Sequence, residues 1–366
     1  MSIAFACMFV AACAGGGGDG SAASPGAVEA SAVGGDAHQS AISKPMGPNP
    51  AVASAAGDGS TATPAVAIPV VSGKVRYGVP SAADLGLNPT LRGAVPFPVG
   101  DGWNRDLTRA AIDPSSAALI ASIGAQATLK IGFGGLAGVP YAIVDRLQGR
   151  ATLRIAGDAT ARAWPIPSTL EPSSDGDARL AVIDRDAGLL YELRGAVRRA
   201  DGSWDALGAA SWRLDVADAA PVDAGGATAP DGGQPVFPGL VRRDEVEAGV
   251  IRHALRVTVP ALRAAWLAPA RHVAAGASSA DPSLPPVGMR LRLKADTPIP
   301  ADAGPAARVI LQALKSYGLV VAGVGAALSI EGVPDAGWDV AKLSTDLAQL
   351  RGEHFEVLAM DGIATP

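Results

Sequence analysis

The chain predicts an α+β fold, predominantly antiparallel β and sandwich- or barrel-like, with about three peripheral helices. Three observations carry that expectation. Short alternating apolar segments follow one another with turn residues between them, and few helices interrupt them. Only three segments have both a helix start and a helix stop signal. Glycine and proline are abundant, at 45 and 29 of 366 residues, which favours turns over long helices. Apolar residues make up 48 %, enough for a core, but alanine supplies much of this and aromatics only 4 %.

The helices come first. Asp113 caps one, with Pro114 at its first position, Leu119, Ile120 and Ile123 on one face, and Gly124 ending it. Pro305 opens a second, in which Val309, Ile310, Leu314 and Tyr317 share a face before Gly318. Asp339 caps a third, carrying Val340, Leu343, Leu347 and Leu350 before Gly352. Among the strands, 180–183 and 189–193 flank Asp184-Arg185-Asp186-Ala187-Gly188, a good hairpin connection. Ala200-Asp201-Gly202-Ser203 marks another turn, and one strand is expected over 204–214. Met289-Arg290-Leu291-Arg292-Leu293-Lys294 alternates, apolar inward and basic outward; 254–259 and 355–358 read as further strands.

The N-terminus points to export. Residues 3–12 are apolar apart from the thiol of Cys7, which suits a signal peptide and is too short to span a bilayer. The run ends in Val10-Ala11-Ala12-Cys13, which resembles the lipobox of bacterial lipoproteins, although no Lys or Arg precedes it. That resemblance implies a signal peptide over 1–12 and a lipid on Cys13. The protein would then be extracytoplasmic, anchored through the lipid to the cell envelope, at the outer membrane or cell surface. Residues 13–69 are rich in Gly, Ala, Ser, Pro and Asp and cannot offset their ordering entropy, so they read as a flexible tether with a span on the order of 40 Å. A single β-rich domain is expected over 70–366.

Composition excludes several functions. The net charge of −5 comes without a basic stripe, which argues against nucleic acid. Cys7 and Cys13 are the only cysteines, so the exported chain has no internal disulfide, zinc–thiolate site or cysteine nucleophile. Gly132-Phe133-Gly134-Gly135-Leu136-Ala137-Gly138 has the wrong last spacing for a dinucleotide loop, and Pro140 stands where its helix should run. Asp215, Asp218, Asp223 and Asp231 lack calcium-loop spacing and read as a solvated insertion. No cofactor or metal site is expected.

The candidate site rests on the histidines. His253 follows Asp244 and Glu245 and opens a basic, alternating segment, while Arg271-His272 stands in a proline-framed turn after Trp266. Arg binds oxygens in bidentate fashion and His shuttles protons, so a pocket uniting His253, Arg271 and His272 would suit a polysaccharide or an anionic ligand. Asp244 and Glu245 are the acid/base candidates. The competing reading makes each histidine a core residue bonded to backbone.

From about Pro96 to Leu358 the chain resembles a family of secreted bacterial and fungal proteins without a settled activity. The similar stretches include Pro96-Phe97-Pro98, Asp184-Arg185-Asp186, Leu190-Tyr191-Glu192-Leu193, Phe237-Pro238-Gly239-Leu240-Val241-Arg242 and Pro269-Ala270-Arg271-His272. The resemblance implies a common fold. Three segments depart from the family pattern: Gly176-Asp177-Ala178-Arg179 lacks a histidine, and Ala229-Pro230-Asp231-Gly232-Gly233 and Ala322-Gly323-Val324-Gly325 have changed polar positions. If those positions form a site in relatives, this member binds without turnover or is inactive. Two classes of function therefore stand, a hydrolase or lyase acting on polysaccharide and a non-catalytic binding or structural envelope lipoprotein. The anchor has a direct check: Cys13→Ala should move the protein from the detergent to the aqueous phase in a Triton X-114 partition of expressing cells, and unchanged partition contradicts lipidation.

Overall fold

The computed structural model describes residues 75–226 and 231–366; Cys13, the signal peptide and the tether lie outside them. The described residues belong to one compact unit and build an α+β, β-rich fold in which most strand pairings are antiparallel. None of its helices is long and apolar enough to cross a membrane.

The first six-stranded sheet has the spatial order Asp223–Gly226, Gly208–Arg213, Leu189–Arg194, Leu180–Asp184, Tyr141–Val144 and Gly86–Leu87. Its hairpin is the expected one. Asp184 Oδ1 accepts from the amides of Asp186 and Ala187, and Gly188 turns back at φ +67°. The sheet is buried on both faces. Ala142, Val182, Leu193 and Ala209 pack with Trp164 and Trp204, whereas Tyr141, Ile183, Leu190 and Trp212 pack with Phe97 and Phe237. The two tryptophans of the first group come from a four-stranded sheet ordered Val197–Arg198, Trp204–Ala206, Ala151–Ile155 and Arg162–Trp164.

The expected strand over 204–214 is in fact two strands. Trp204–Ala206 joins the four-stranded sheet, and Gly208–Arg213 joins the first. The chain changes sheets at the exposed Leu207, whose amide donates to the Arg194 carbonyl. Alternation alone cannot report this, because a crossing between sheets preserves it.

The second six-stranded sheet runs Phe355–Val357, Arg290–Leu293, Leu319–Val324, Leu255–Val259, Ser329–Ile330 and Lys130–Ile131. Helices α1 (Ser116–Ile123), α3 (Pro305–Ser316) and α4 (Val340–Leu347) cover one face of it and share its core. A fourth, α2 (Arg243–Glu247), lies where the sequence offers only a run of charges. α1 starts later than its capping signal implies, since Asp113 closes a preceding turn by accepting from the Ser115 amide at 2.8 Å. Asp339 caps α4 through the Lys342 amide, but the helix stops at Leu347, and Leu350 is buried in the following turn.

The other face of this sheet corrects a second expectation. Leu291 and Leu293 point into the core as the alternation requires, yet the basic side chains between them are not solvated. Arg290 donates to the Gly102 carbonyl at 2.7 Å, and Arg292 pairs with Glu356 and donates to the Leu107 carbonyl. The segment carrying Gly102 and Leu107 lies over this face, with Trp103 packed on Val320.

Gly318 lets α3 turn into the strand Leu319–Val324. It sits at φ +70°, and a Cβ there would stand 2.2 Å from the Leu291 carbonyl oxygen. Gly318→Ala should therefore lower stability by more than about 2 kcal/mol in denaturant unfolding; a loss below about 0.5 kcal/mol would show that the turn relaxes freely.

Candidate functional site

The structure brings three of the five sequence-predicted residues together, in a buried network. Glu245 lies on α2 with its Oε2 3.0 Å from His253 Nε2, while His253 Nδ1 is 2.9 Å from the Ala254 carbonyl oxygen. Arg242 places Nη2 2.6 Å from Glu245 Oε1 and its guanidinium 5.4 Å above the Phe237 ring. Asp244 accepts from the Leu91 amide at 2.8 Å. His253 is fully buried, with a backbone carbonyl oxygen at one ring nitrogen and a carboxylate at the other. Burial pushes the Glu245 carboxyl up, but the charges of Arg242 and His253 outweigh it and hold the group below its ordinary range.

Arg271 and His272 stand elsewhere. Both amides donate to the Gly232 carbonyl, and the exposed Arg271 guanidinium donates to that of Asp218. Exposed His272 donates from Nδ1 to the Val273 carbonyl at 2.9 Å. Arg271 borders a cavity of 230 Å³ with Asp101 and Trp103, whereas Glu245 borders one of 330 Å³ with Arg76, Arg92 and Arg252. Among the described residues no cavity, hydrogen bond or ion pair joins Arg271-His272 to His253, so the expected single pocket is not what the fold builds.

A different constellation lies where the two large sheets face each other. On the strand Leu255–Val259, Leu255, Val257 and Val259 enter the core, which leaves Arg256 and Thr258 on the opposite face. On Leu189–Arg194 the same parity puts Glu192 and Arg194 on the face of Leu190, which packs with Phe237. The segment from Asp231 to Gly239 runs between. Arg256 is 1 % exposed and is gripped from two sides, with Nη2 2.5 Å from Asp231 Oδ2 and Nε 2.6 Å from Glu331 Oε2. Arg179 reaches the other Glu331 oxygen at 2.7 Å and Asp175 at 2.7 Å. Glu192 accepts from the amides of Val236 and Phe237 at 2.7–2.9 Å.

These groups enclose a cavity of 160 Å³ lined by Arg179, Arg194, Arg256, Asp177, Asp231 and Glu331, with Thr258, Gly323 and Val324 completing the wall. Asp177 and Arg179, Asp231, and Gly323 and Val324, from three segments far apart in the chain, thus meet in one place. Gly323 lies against Asp231, where a Cβ would come 3.1 Å from Oδ1 and require the carboxylate to shift by a few tenths of an ångström. Behind the cavity a cleft of 30 Å³ shares Arg179, Arg194 and Asp231 with it and adds Glu192, Trp212 and Gln234.

The two glutamates are driven apart. Burial raises the Glu331 carboxyl, but the charges of Arg256 and Arg179 overcome it and hold the group down at about 2. Burial dominates at Glu192 and pushes it up to about 7, against the amides of Phe237 and Val236 and the charge of Arg256, with Asp231 adding to the rise. One carboxyl stays ionised while the other exchanges a proton near neutrality.

The four aspartates expected in one solvated insertion have separate partners. Asp215 pairs with Arg213 and Asp223 with Arg162; Asp218 accepts from the Gly102 amide, and Asp231 holds Arg256. Among the described residues no three His, Cys, Asp or Glu are grouped to hold a metal. Sequence reasoning missed Glu192, Arg256 and Glu331 as site residues. Signals existed for two: a lone carboxylate inside the apolar run Leu190-Tyr191-Glu192-Leu193, and polar residues on one face of 255–259. Comparison with protein-family models, curated proteins and solved structures finds no match to this chain.

The two shifts act on stability in opposite directions. Glu331, depressed from about 4.3 in the unfolded chain, contributes stability that is lost as pH falls from about 4 towards 2. Glu192, raised, contributes stability that is lost as pH rises from about 4 through 7. Glu192→Gln should therefore flatten the decline in melting temperature between pH 5 and 8, a window set by these values. An unchanged decline would show that Glu192 is already ionised throughout.

Proposed function

We propose that the chain is a lipid-tethered extracytoplasmic protein whose domain binds polysaccharide at the seam between its two large sheets and hydrolyses it there. The observation that carries this reading is the cavity itself, where three guanidiniums and three carboxylates from distant segments line 160 Å³. The charges balance, so the site offers both donors and acceptors without favouring an anion, a combination suited to sugar hydroxyls. Its volume is below the roughly 300 Å³ at the lower end of small-molecule sites, which fits a single sugar unit.

Hydrolysis is the chemistry the carboxyls support. Glycoside hydrolysis uses one carboxyl that gives or takes a proton and one that stays ionised beside an oxocarbenium-like centre. Glu192 has the first property and Glu331 the second. A specific observation favours a non-catalytic binder as the second reading: Glu331 and Asp231 are both tied to guanidiniums, and Glu192 lines the inner cleft rather than the cavity.

The purified full-length chain should retard in affinity electrophoresis through at least one gel of a neutral polysaccharide panel and release reducing ends from it. Glu192→Gln should lower that release by at least about 10²-fold, the scale of general acid–base catalysis, while retardation changes little. Retardation without release would establish the binding reading, and no retardation by any member would remove both.

A further inference from the structure

We propose that the inner cleft receives the exocyclic hydroxymethyl arm of a hexose whose ring occupies the outer cavity, so that the site selects hexose over pentose units. This rests on reading the seam as a sugar site.

Size is the first argument. The cleft holds 30 Å³ and shares Arg179, Arg194 and Asp231 with the outer cavity. A water needs about 10–15 Å³ of such space, so the cleft has room for a two-atom arm such as a hydroxymethyl and none for a second ring. Its room comes from Gly208, which has no side chain and stands directly opposite Arg194 in the strand register, and from Ala210, opposite Glu192.

Polarity is the second. Nε of Arg179, Nε of Arg194, Nε1 of Trp212 and Oε1 of Gln234 are buried and meet no hydrogen-bond partner among the described residues, the first having only Asp177 Oδ2 at 3.8 Å, and all four residues line the cleft. Trp212 and Gln234 are each 1 % exposed. Leaving such groups unpaired and out of water is costly. A hydroxyl has one donor and two lone pairs, so it satisfies the Gln234 oxygen together with two of the three N–H groups. A carboxylate could not donate to Gln234 and would sit beside Asp231 and Glu192. The Ala210 methyl beside the polar atoms suits the methylene that carries the hydroxyl.

The test uses matched oligosaccharides that differ only in this arm: glucose- with xylose-configured, galactose- with L-arabinopyranose-configured, and mannose- with lyxose-configured chains. Calorimetric titration of the full-length protein should show the preferred hexose binding at least about tenfold more tightly than its pentose counterpart, because an unfilled polar cleft penalises the shorter sugar. Ala210→Val, which fills the cleft, should bring the hexose down to the pentose level and leave the pentose unchanged. Should that variant fail to fold, Gln234→Leu keeps the cleft open and should cut the preference several-fold. Equal binding of hexose and pentose in every pair, or a preference untouched by a folded variant, would overturn the hydroxymethyl assignment while leaving the seam as a sugar site. Absence of binding by all six chains would overturn both.

Discussion

The buried guanidinium of Arg256, held between Asp231 and Glu331, is the interaction on which the rest of this structure depends. An arginine with 1 % of its surface exposed persists only where acceptors surround it, and here two carboxylates at 2.5 and 2.6 Å do so. Asp231 begins the segment that runs to Gly239, so fixing it sets the course of that strap between the sheets. The Gly232 carbonyl takes the amides of Arg271 and His272, and the amides of Val236 and Phe237 close on Glu192. Gly239 lies against Arg256 itself, where a Cβ would come within 2.3 Å of its Cγ. One charge thus positions the strap, the loop of Arg271 and His272 and the carboxyl of Glu192.

The same arrangement accounts for a polar cavity in a chain so rich in alanine and glycine. Each large sheet has a face committed to apolar packing, the first against Trp164 and Trp204 and the second against α1, α3 and α4. Where their remaining faces meet, side chains of fixed parity bring Glu192 and Arg194 opposite Arg256 and Thr258. Buried charges in such a seam persist as forks and networks, since any one alone would be costly. Glu331 serves two arginines and is pinned as an anion; Glu192 has backbone amides and a more distant guanidinium, and its burial prevails. That difference in partners separates two groups of the same chemical type.

Much of the fold is legible in the sequence, and the reasons differ by element. The hairpin around Asp184 and Gly188 and the helix opened by Pro305 are local events, written in turn and cap residues. The division of 204–214 between two sheets is not local, because it depends on which partner each half meets. Alternation predicts a solvated basic face at Arg290 and Arg292, because it reports two faces but not what covers the second. The site is legible in part. Asp177, Arg179, Asp231, Gly323 and Val324 have nothing in their spacing to show that they meet. His253, Asp244 and Glu245 draw attention as residue types, and the pairing of buried His253 and Arg242 with Glu245 makes a clamp on α2.

The central claim, that the charged seam couples the two sheets, is tested most directly by a double-mutant cycle in stability between Arg256→Met and Glu331→Leu. Each single change takes one partner from a buried charge network and should cost about 3–5 kcal/mol. The double variant should lose less than the sum by more than about 1 kcal/mol, the range of groups in one network. Losses that simply add would show that the two side chains act independently and that the seam does not depend on their pairing.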